Sequence, residues 1–488
     1  LFCCIDFALG DGVDLIILIP AVACWVALAR STVRSAFVNV YLPVVLLLPQ
    51  YFTLRFPHLP PLSFADAAIL PLFLALCLKE LRRWKFSWMD LLIVLFAFSV
   101  ALSEGLSNAL ADGSWKKLFL ANGERVDMNP GNGGLMLFAE LTTVVVPYML
   151  GKLLIEQGRG DEEPARFPLV KRVVVLLAIV GGISVIDFVT GKSSWQTVFI
   201  KLFPGAPSIW PQQMRWGFGR IAGPFGHAIL AGTIFLIGLI YCLWLRTYAP
   251  EWGTRRVFAG IPLTVRGLIM GALIAGLLMA QSRGPWVGAG LALLLMLLMQ
   301  RFSSWKAASM FAVIAVTFSL SAYYYGKQYT EVERSEAVND EQRNAIYRRE
   351  LLNSYRPIIK EREAFGWGIT TYPSMNGQTS IDNEYLMLAV TQGFVGLGLF
   401  VAIGAGSIFG LLKLLARPMS MEDRALIVAH LAALIGVMTT ITTVFLGEQA
   451  YLLFFLIVGW GQGMNPQRVG ETVRNGLIPH FRFQKVLT

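Results

Sequence analysis

The chain has 488 residues, 55% of them hydrophobic, with a formal net charge of +10. Soluble domains are nearer about 45–50% apolar. Apolar runs of 18 or more residues recur here, as at 222–245, which excludes an ordinary soluble protein and implies a polytopic membrane protein. The five cysteines show no CxxC spacing, which argues against a disulfide framework or a zinc site, and the position of the positive charge explains it better than nucleic acid does.

Membrane spans are predicted at roughly 13–30, 36–53, 62–79, 88–107, 134–155, 170–190, 222–245, 259–281, 284–300, 306–324, 384–414, 424–446 and 448–464. The fold class is therefore an all-α integral membrane protein of about 12–14 transmembrane helices. No cleavable signal peptide is read at the start, and residues 2–9 are taken as the remnant of a further helix. Arg30 and Arg34 follow the first span, Lys79, Arg82, Arg83 and Lys85 the third, and Arg159, Arg166, Lys171 and Arg172 the fifth. Arg246, Arg255 and Arg256 follow the seventh, Arg301 and Lys306 the ninth, and Lys413, Arg417 and Arg424 the eleventh. All fall on one side, with the basic tail, and the positive-inside rule makes that side cytoplasmic. The domains expected are 1–324 as about ten transmembrane helices, 325–383 as an outer loop domain, 384–464 as three further helices, and 465–488 as a cytoplasmic basic tail.

The other side receives the connections 54–61, 108–133, 191–221 and 325–383. Trp195, Trp210 and Trp216 suit the headgroup region. Within the largest connection, 339–363 has helical periodicity, with Ile346, Leu351, Leu352, Tyr355 and Ile359 as its apolar stripe. It reads as a folded cap over that face.

Three motifs stand at span starts on this outer side. Gly219-Arg220-Ile221-Ala222-Gly223 opens span seven, Ser282-Arg283-Gly284-Pro285-Trp286 opens span nine, and Asp382-Asn383-Glu384-Tyr385-Leu386 opens span eleven. Arginine at a bilayer boundary is costly and is by default a functional hypothesis. Two arginines beside the positive ends of helices suit an anion, and a guanidinium pairs phosphate oxygens bidentately. The alternative is a pair of snorkelling interfacial arginines. Asp382 and Asn383 both suit an N-cap; the functional reading makes Asp382 a base, with Glu384 and Glu448 as rivals. Asp66, Glu104, Glu140 and Asp187 are further acids that would balance the arginines or bond sugar hydroxyls. His227, two turns into span seven, is read as a phosphate donor or a packed helix histidine, and His430 as a local pair. No histidine spacing suits a metal.

The ordered set resembles the O-antigen ligase and polysaccharide polymerase superfamily of bacterial envelopes, over about 216–400. The residues that carry the likeness are Arg220, Ser282-Arg283-Gly284, Arg348 in the loop helix, Gly366-Trp367-Gly368, Asp382-Asn383-Glu384-Tyr385-Leu386 and Gly393-Phe394-Val395-Gly396. The resemblance implies a glycosyltransferase of the bacterial inner membrane, with its active site on the periplasmic side. Its substrate would be an undecaprenyl-diphosphate-linked oligosaccharide, and it would use no metal, nucleotide sugar or other cofactor. Membrane lipids and other polysaccharide assembly proteins are the remaining partners expected, and nucleic acid is not. Arg220, Arg283, Arg348 and His227 would bind the diphosphate. Asp382, Glu384 and Arg283 would be catalytic, and Asn383 and Tyr385 would meet the glycan. Ligases that attach O-antigen to lipid A–core usually show His where this chain has Asp382, which favours a repeat-unit polymerase over a ligase. A flippase or transporter is the reading from another class, but it should carry its polar groups near the midplane. The expected site is a cavity between the starts of spans seven, nine and eleven, roofed by 325–383.

Overall fold

A computed structural model describes residues 12–54, 61–109, 132–156, 165–203, 213–258, 262–373 and 380–464. In lipid each backbone polar group must find its partner within the segment, so the apolar runs form helices. The first half holds α1 (Ile19–Arg30), α2 (Val33–Ala36), α3 (Leu42–Leu47), α4 (Phe64–Lys79), α5 (Trp88–Ala109), α6 (Asn132–Glu140), α7 (Val146–Leu154), α8 (Arg166–Thr190) and α9 (Ser194–Leu202). Five-residue π-helical stretches join α2 to α3 and α6 to α7 into continuous rods. There follow α10 (Ala228–Tyr248), α11 (Val265–Met279), α12 (Arg283–Arg301), α13 (Ser304–Tyr329), α14 (Asp340–Glu361), α15 (Glu384–Thr391), α16 (Gly393–Leu415), α17 (Met421–Thr440) and α18 (Glu448–Gly463). The strands described are two short antiparallel pairs, β1 (Thr53–Leu54) with β2 (Leu62–Ser63) and β3 (Met214–Arg215) with β4 (Phe218–Gly219). The chain is an all-α integral membrane protein, and each predicted span falls on a helix.

Hydrogen bonds between helix ends show which ends share a face. Glu384 at the start of α15 donates its N–H to the carbonyls of Ile441 and Val444, just past α17. Gln449 in α18 reaches the carbonyls of Leu48 and Pro224, and Ile221 bonds Met279 at the end of α11. These ends form one face, which also carries the three motifs. At the opposite end, Arg166 at the start of α8 pairs with Asp423 at the start of α17 and with Glu156 beyond α7. There too Lys152 of α7 meets Asp90 of α5 at 2.6 Å. This second face carries the basic connections, in agreement with the alternation read from charge.

Two spans are built differently from expectation. Span seven does not begin at 222. The chain makes the β3–β4 hairpin and a 3₁₀ turn at Gly223–Phe225, and α10 starts only at Ala228. Gly223 and Gly226 both have positive φ, +57° and +70°, which interrupts a helix at glycine. Arg220 is therefore in a loop, without a helix dipole behind it, and His227 is the N-cap of α10, not a residue two turns inside it. Span eleven is broken into α15 and α16 at Gln392-Gly393, where Gly393 has φ +63°. The loop helix forms as α14, capped by Asn339. Ile346, Leu351 and Tyr355 are buried as expected, while Leu352 faces outward at 51% exposure. Trp195 is buried too, its indole N–H on the Leu47 carbonyl, and does not lie in a headgroup belt. Residues 2–9, Trp210, the 54–61 and 108–133 connections for the most part, and the tail from 465 lie outside the described residues, as does the Glu448 side chain.

The roof is fastened by main chain. Trp367 and Gly368 N–H groups donate to the carbonyls of Val390 and Thr391, and those of Phe394 and Val395 to Glu363 and Ala364. Gly366 and Gly393 lie back to back: a Cβ on either would come within 2.5 Å of backbone on the other side. Leu351, Tyr355, Trp367, Ile381, Leu386 and Val390 close a small apolar core between α14 and α15. On its other flank the loop is held by α5, where Ser107 Oγ donates to the Trp367 carbonyl and Glu104 accepts from Thr370. Gly393→Ala should therefore lower stability by about 2 kcal/mol or more, from positive-φ strain and overpacking together. Thermal unfolding in detergent checks this, together with faster proteolysis within 330–383.

Candidate active site at the α10, α12 and α15 starts

The site is built on a hairpin and a turn. Trp216-Gly217 forms the two-residue hairpin loop with both φ positive, 53° and 79°, as a primed turn requires. The hairpin carries Arg215 and leads to Arg220. The α11–α12 turn holds Gln281 at φ 47°, a strained backbone that persists only where surroundings enforce it. Two arginines do so. Arg215 donates to the Gln281 carbonyl at 2.6 Å. Arg220 donates from Nε to the Ala280 carbonyl at 3.2 Å, from one terminal nitrogen to the Ser282 hydroxyl at 2.6 Å, and from the other to the Gln213 amide oxygen.

Arg283 stands next to Ser282, so Arg220 reaches its immediate neighbour. The Arg283 guanidinium itself turns outward, 53% exposed, to an ion pair with Glu341 of α14. Arg348, also on α14, donates to the Thr443 carbonyl at 3.4 Å. Asp382 accepts from the Ser380 hydroxyl at 2.7 Å, and its field acts on Arg220, His227 and Arg348. The structure thus gathers Arg220, Arg283, Arg348, Asp382 and His227 at one face. Arg215 belongs to the same group and went unread in the sequence. Its signal was local: an arginine in Met214-Arg215-Trp216-Gly217-Phe218-Gly219-Arg220, where a hairpin turn points both arginines back to one place.

Burial, then the like charge of Arg215, brings the Arg220 guanidinium down to about 10, with Asp382 opposing and Arg348 adding to the shift. Arg215 is lowered by burial and by Arg283. Part of Arg348 is open to solvent, yet the protein packed around it lowers it as well, with Asp382 opposing and Arg283 adding. All stay charged at neutral pH. Among the described residues, four guanidinium groups meet two carboxylates, Asp382 and Glu341, an excess of two positive charges. Burial and Arg220 push His227 down to about 4, so its ring is neutral. Its Nδ1 accepts from the Ile229 N–H at 3.3 Å, which puts the ring proton on Nε2.

The Asp-Asn-x-Tyr-Leu segment divides its tasks. Asn383, not Asp382, is the N-cap of α15, accepting from Leu386 N–H at 3.1 Å. The Tyr385 hydroxyl donates to the Met438 carbonyl at 3.0 Å. Both groups expected to meet a glycan are engaged with protein. Glu384 is buried, with Oε2 accepting from Leu446 N–H at 2.6 Å, so it fastens the start of α15 to the chain past α17. The other acids are engaged as well: Asp66 in the Ser63 capping box, Asp187 on Ser194, Glu104 on Thr370 and Glu140 with Tyr451. Arg220 and His227 line a cavity of about 30 Å3, room for about one water.

Residues 268–401 match the family model of the O-antigen ligases. The match runs from α11 through the α14 roof into α16, and includes Arg283, Arg348 and Asp382. The ligase and polymerase likeness read from the motifs holds over this stretch. Arg215, Arg220 and His227 precede it. No curated protein matches the chain.

Burial pushes Glu384 up from 4.5 to about 7, against the Leu446 hydrogen bond. It lies ahead of the α16 span. A carboxyl raised in the folded state contributes stability that is complete below about pH 4.5 and lost as pH rises towards about 7. The unfolding temperature of the wild type should fall across that window, and Glu384→Gln should flatten the slope. An unchanged slope would show that Glu384 is not the group titrating.

Proposed function

We propose that the protein polymerises undecaprenyl-diphosphate-linked oligosaccharide repeat units into a surface or exopolysaccharide, on the periplasmic face of the bacterial inner membrane. The observation that carries this reading is the grouping of Arg215, Arg220, Arg283 and Arg348, with Asp382 beside Arg220 and Arg348 and Glu341 on Arg283, which leaves two positive charges in excess among the described residues. Such a cluster suits a diphosphate, and the like-charge cost it bears is relieved when an anion binds. The family match over 268–401 supports transfer of glycans. The positive-inside rule supports a periplasmic site, since the cluster lies opposite the basic connections.

Asp382 is the carboxylate placed to accept a proton. As the acceptor hydroxyl oxygen forms the new bond to the anomeric carbon, that hydroxyl gives its proton to Asp382. The bond from the anomeric carbon to the diphosphate oxygen breaks, and the lipid diphosphate leaves with the bonding electrons. The arginines stabilise the charge that develops on it. Glu384 positions α15, and Arg283, at the open edge with Glu341, contacts the donor phosphates.

Asp382→Asn should lower transfer by about 100-fold or more while donor binding persists. The α15 cap on Asn383 is untouched by this change, so a fold-wide cause is avoided. Glu384→Gln should keep activity within a few-fold. The reverse pattern would move the base to Glu384. Arg283→Lys should lose most activity although the charge is kept, because an ammonium does not replace a planar fork; near wild-type polymer yield would make Arg283 an anchor only.

The family description favours a second reading, ligation of glycan to lipid A–core. The lipid-linked products of a deletion strain separate the two. Accumulated single repeat units support the polymerase. Full-length carrier-linked polymer, absent from lipid A, would replace it with the ligase.

A further inference from the structure

At the basic end of the bundle, away from the arginine cluster, α16, α17 and α18 leave a cavity of about 200 Å3. Lys413 in the last turn of α16 and Arg417 just beyond it line the cavity, with Gln462 of α18 and, further in, His430 of α17. The histidine has no capacity to spare. Its Nε2 bonds the Ile457 carbonyl at 2.8 Å, so it carries the proton, and Nδ1 takes the Tyr241 hydroxyl at 2.7 Å.

The groups that remain open are Lys413, Arg417 and the Gln462 amide, none of which has a hydrogen-bond or ion-pair partner among the described residues. The acids that begin α17, Glu422 and Asp423, are committed to Arg166. Lys413 suits the negative end of its helix, but Arg417 lies past that end. Two glycines keep the space clear. A Cβ on Gly410 would come to 3.9 Å from Gln462 Nε2, and one on Gly461 to 3.3 Å from His430 Nε2. The deeper wall is apolar, from Leu411, Leu434 and Val458.

A cationic mouth, one unpaired amide and an apolar interior match an amphiphile with a phosphate at its polar end. Basic pockets between transmembrane helices at the basic face take such headgroups. We propose that this cavity binds one anionic phospholipid from the adjacent leaflet. Lys413 and Arg417 hold its phosphate, Gln462 bonds its headgroup or ester oxygens, and its glycerol and first methylenes lie against Leu411, Leu434 and Val458. The lipid would bridge α16 and α18 at the end opposite the roof, a role separate from glycan transfer.

The test uses the full chain, delipidated in phosphatidylcholine–detergent micelles, titrated with phosphatidylglycerol and read by native mass spectrometry. One phosphatidylglycerol should bind per chain, saturably, in preference to phosphatidylcholine. The double change Lys413→Gln with Arg417→Gln should weaken it about tenfold. Gly410→Leu, which keeps both charges and fills the mouth, should weaken it comparably. Arg82→Gln, which removes a charge from the same face outside the cavity, should leave it unchanged. Equal uptake of phosphatidylcholine, full binding by Gly410→Leu, or an equal loss in Arg82→Gln would overturn the proposal. Displacement by millimolar inorganic phosphate would overturn the lipid assignment in favour of a soluble phosphate.

Discussion

One buried guanidinium organises the motif-bearing face. Arg220 lies outside any helix and spends its N–H groups on Gln213, Ala280 and Ser282, all neutral. These bonds join the β3–β4 hairpin to the α11–α12 turn, and so bring Arg215 and Arg283 beside each other. They do not neutralise the charge. A buried charge without a bonded counter-charge is costly, and the field of Asp382 offsets it only against Arg215 and Arg348. Among the described residues this face carries more positive than negative charge, which suits the proposed anion site.

The second requirement is that the roof not drift. Arg348 and Asp382 come from the two sides of the 330–383 connection, and each needs a fixed distance from Arg220. The backbone pairs across Gly366 and Gly393 supply that constraint, because two chains can approach so closely only where neither bears a Cβ. Glu384 adds a second fastening at the start of α15 through Leu446 and Ile441. The break between α15 and α16 is thus where the roof is attached, and the span beyond it is free to cross the membrane. Polar groups gathered at helix ends below a fixed roof suit chemistry at the surface better than a substrate path through the midplane.

The spans were legible because hydrophobic length is a strong signal in lipid, and their alternation was legible because basic residues mark one side. The start of span seven was not. Residues 222–227, Ala-Gly-Pro-Phe-Gly-His, adjoin the apolar helix without sharing its composition; their glycines and proline are turn residues, and the left-handed backbone at Gly223 and Gly226 keeps them out of the helix. His227 was misplaced for the same reason. The break at Gly393 lies within an apolar stretch interrupted only by Thr391-Gln392 before it. In the site, Arg220, Arg283, Arg348 and Asp382 could be named from motif order, but their division of labour could not. That Asn383 caps and Asp382 does not depends on a choice between adjacent residues that both cap well. That Glu384 is a fastening depends on a partner, Leu446, 62 residues away.

The most direct test of the central claim is equilibrium binding of a polyprenyl diphosphate to the purified full chain, compared with the monophosphate and the free alcohol of the same chain length. A cluster with two positive charges in excess among the described residues should bind the diphosphate about tenfold or more tighter than the monophosphate, and the alcohol weakest. Arg220→Gln and Arg348→Gln should each erase that preference while leaving alcohol binding unchanged. Equal affinity for all three ligands, or a diphosphate preference that survives both changes, would contradict the account.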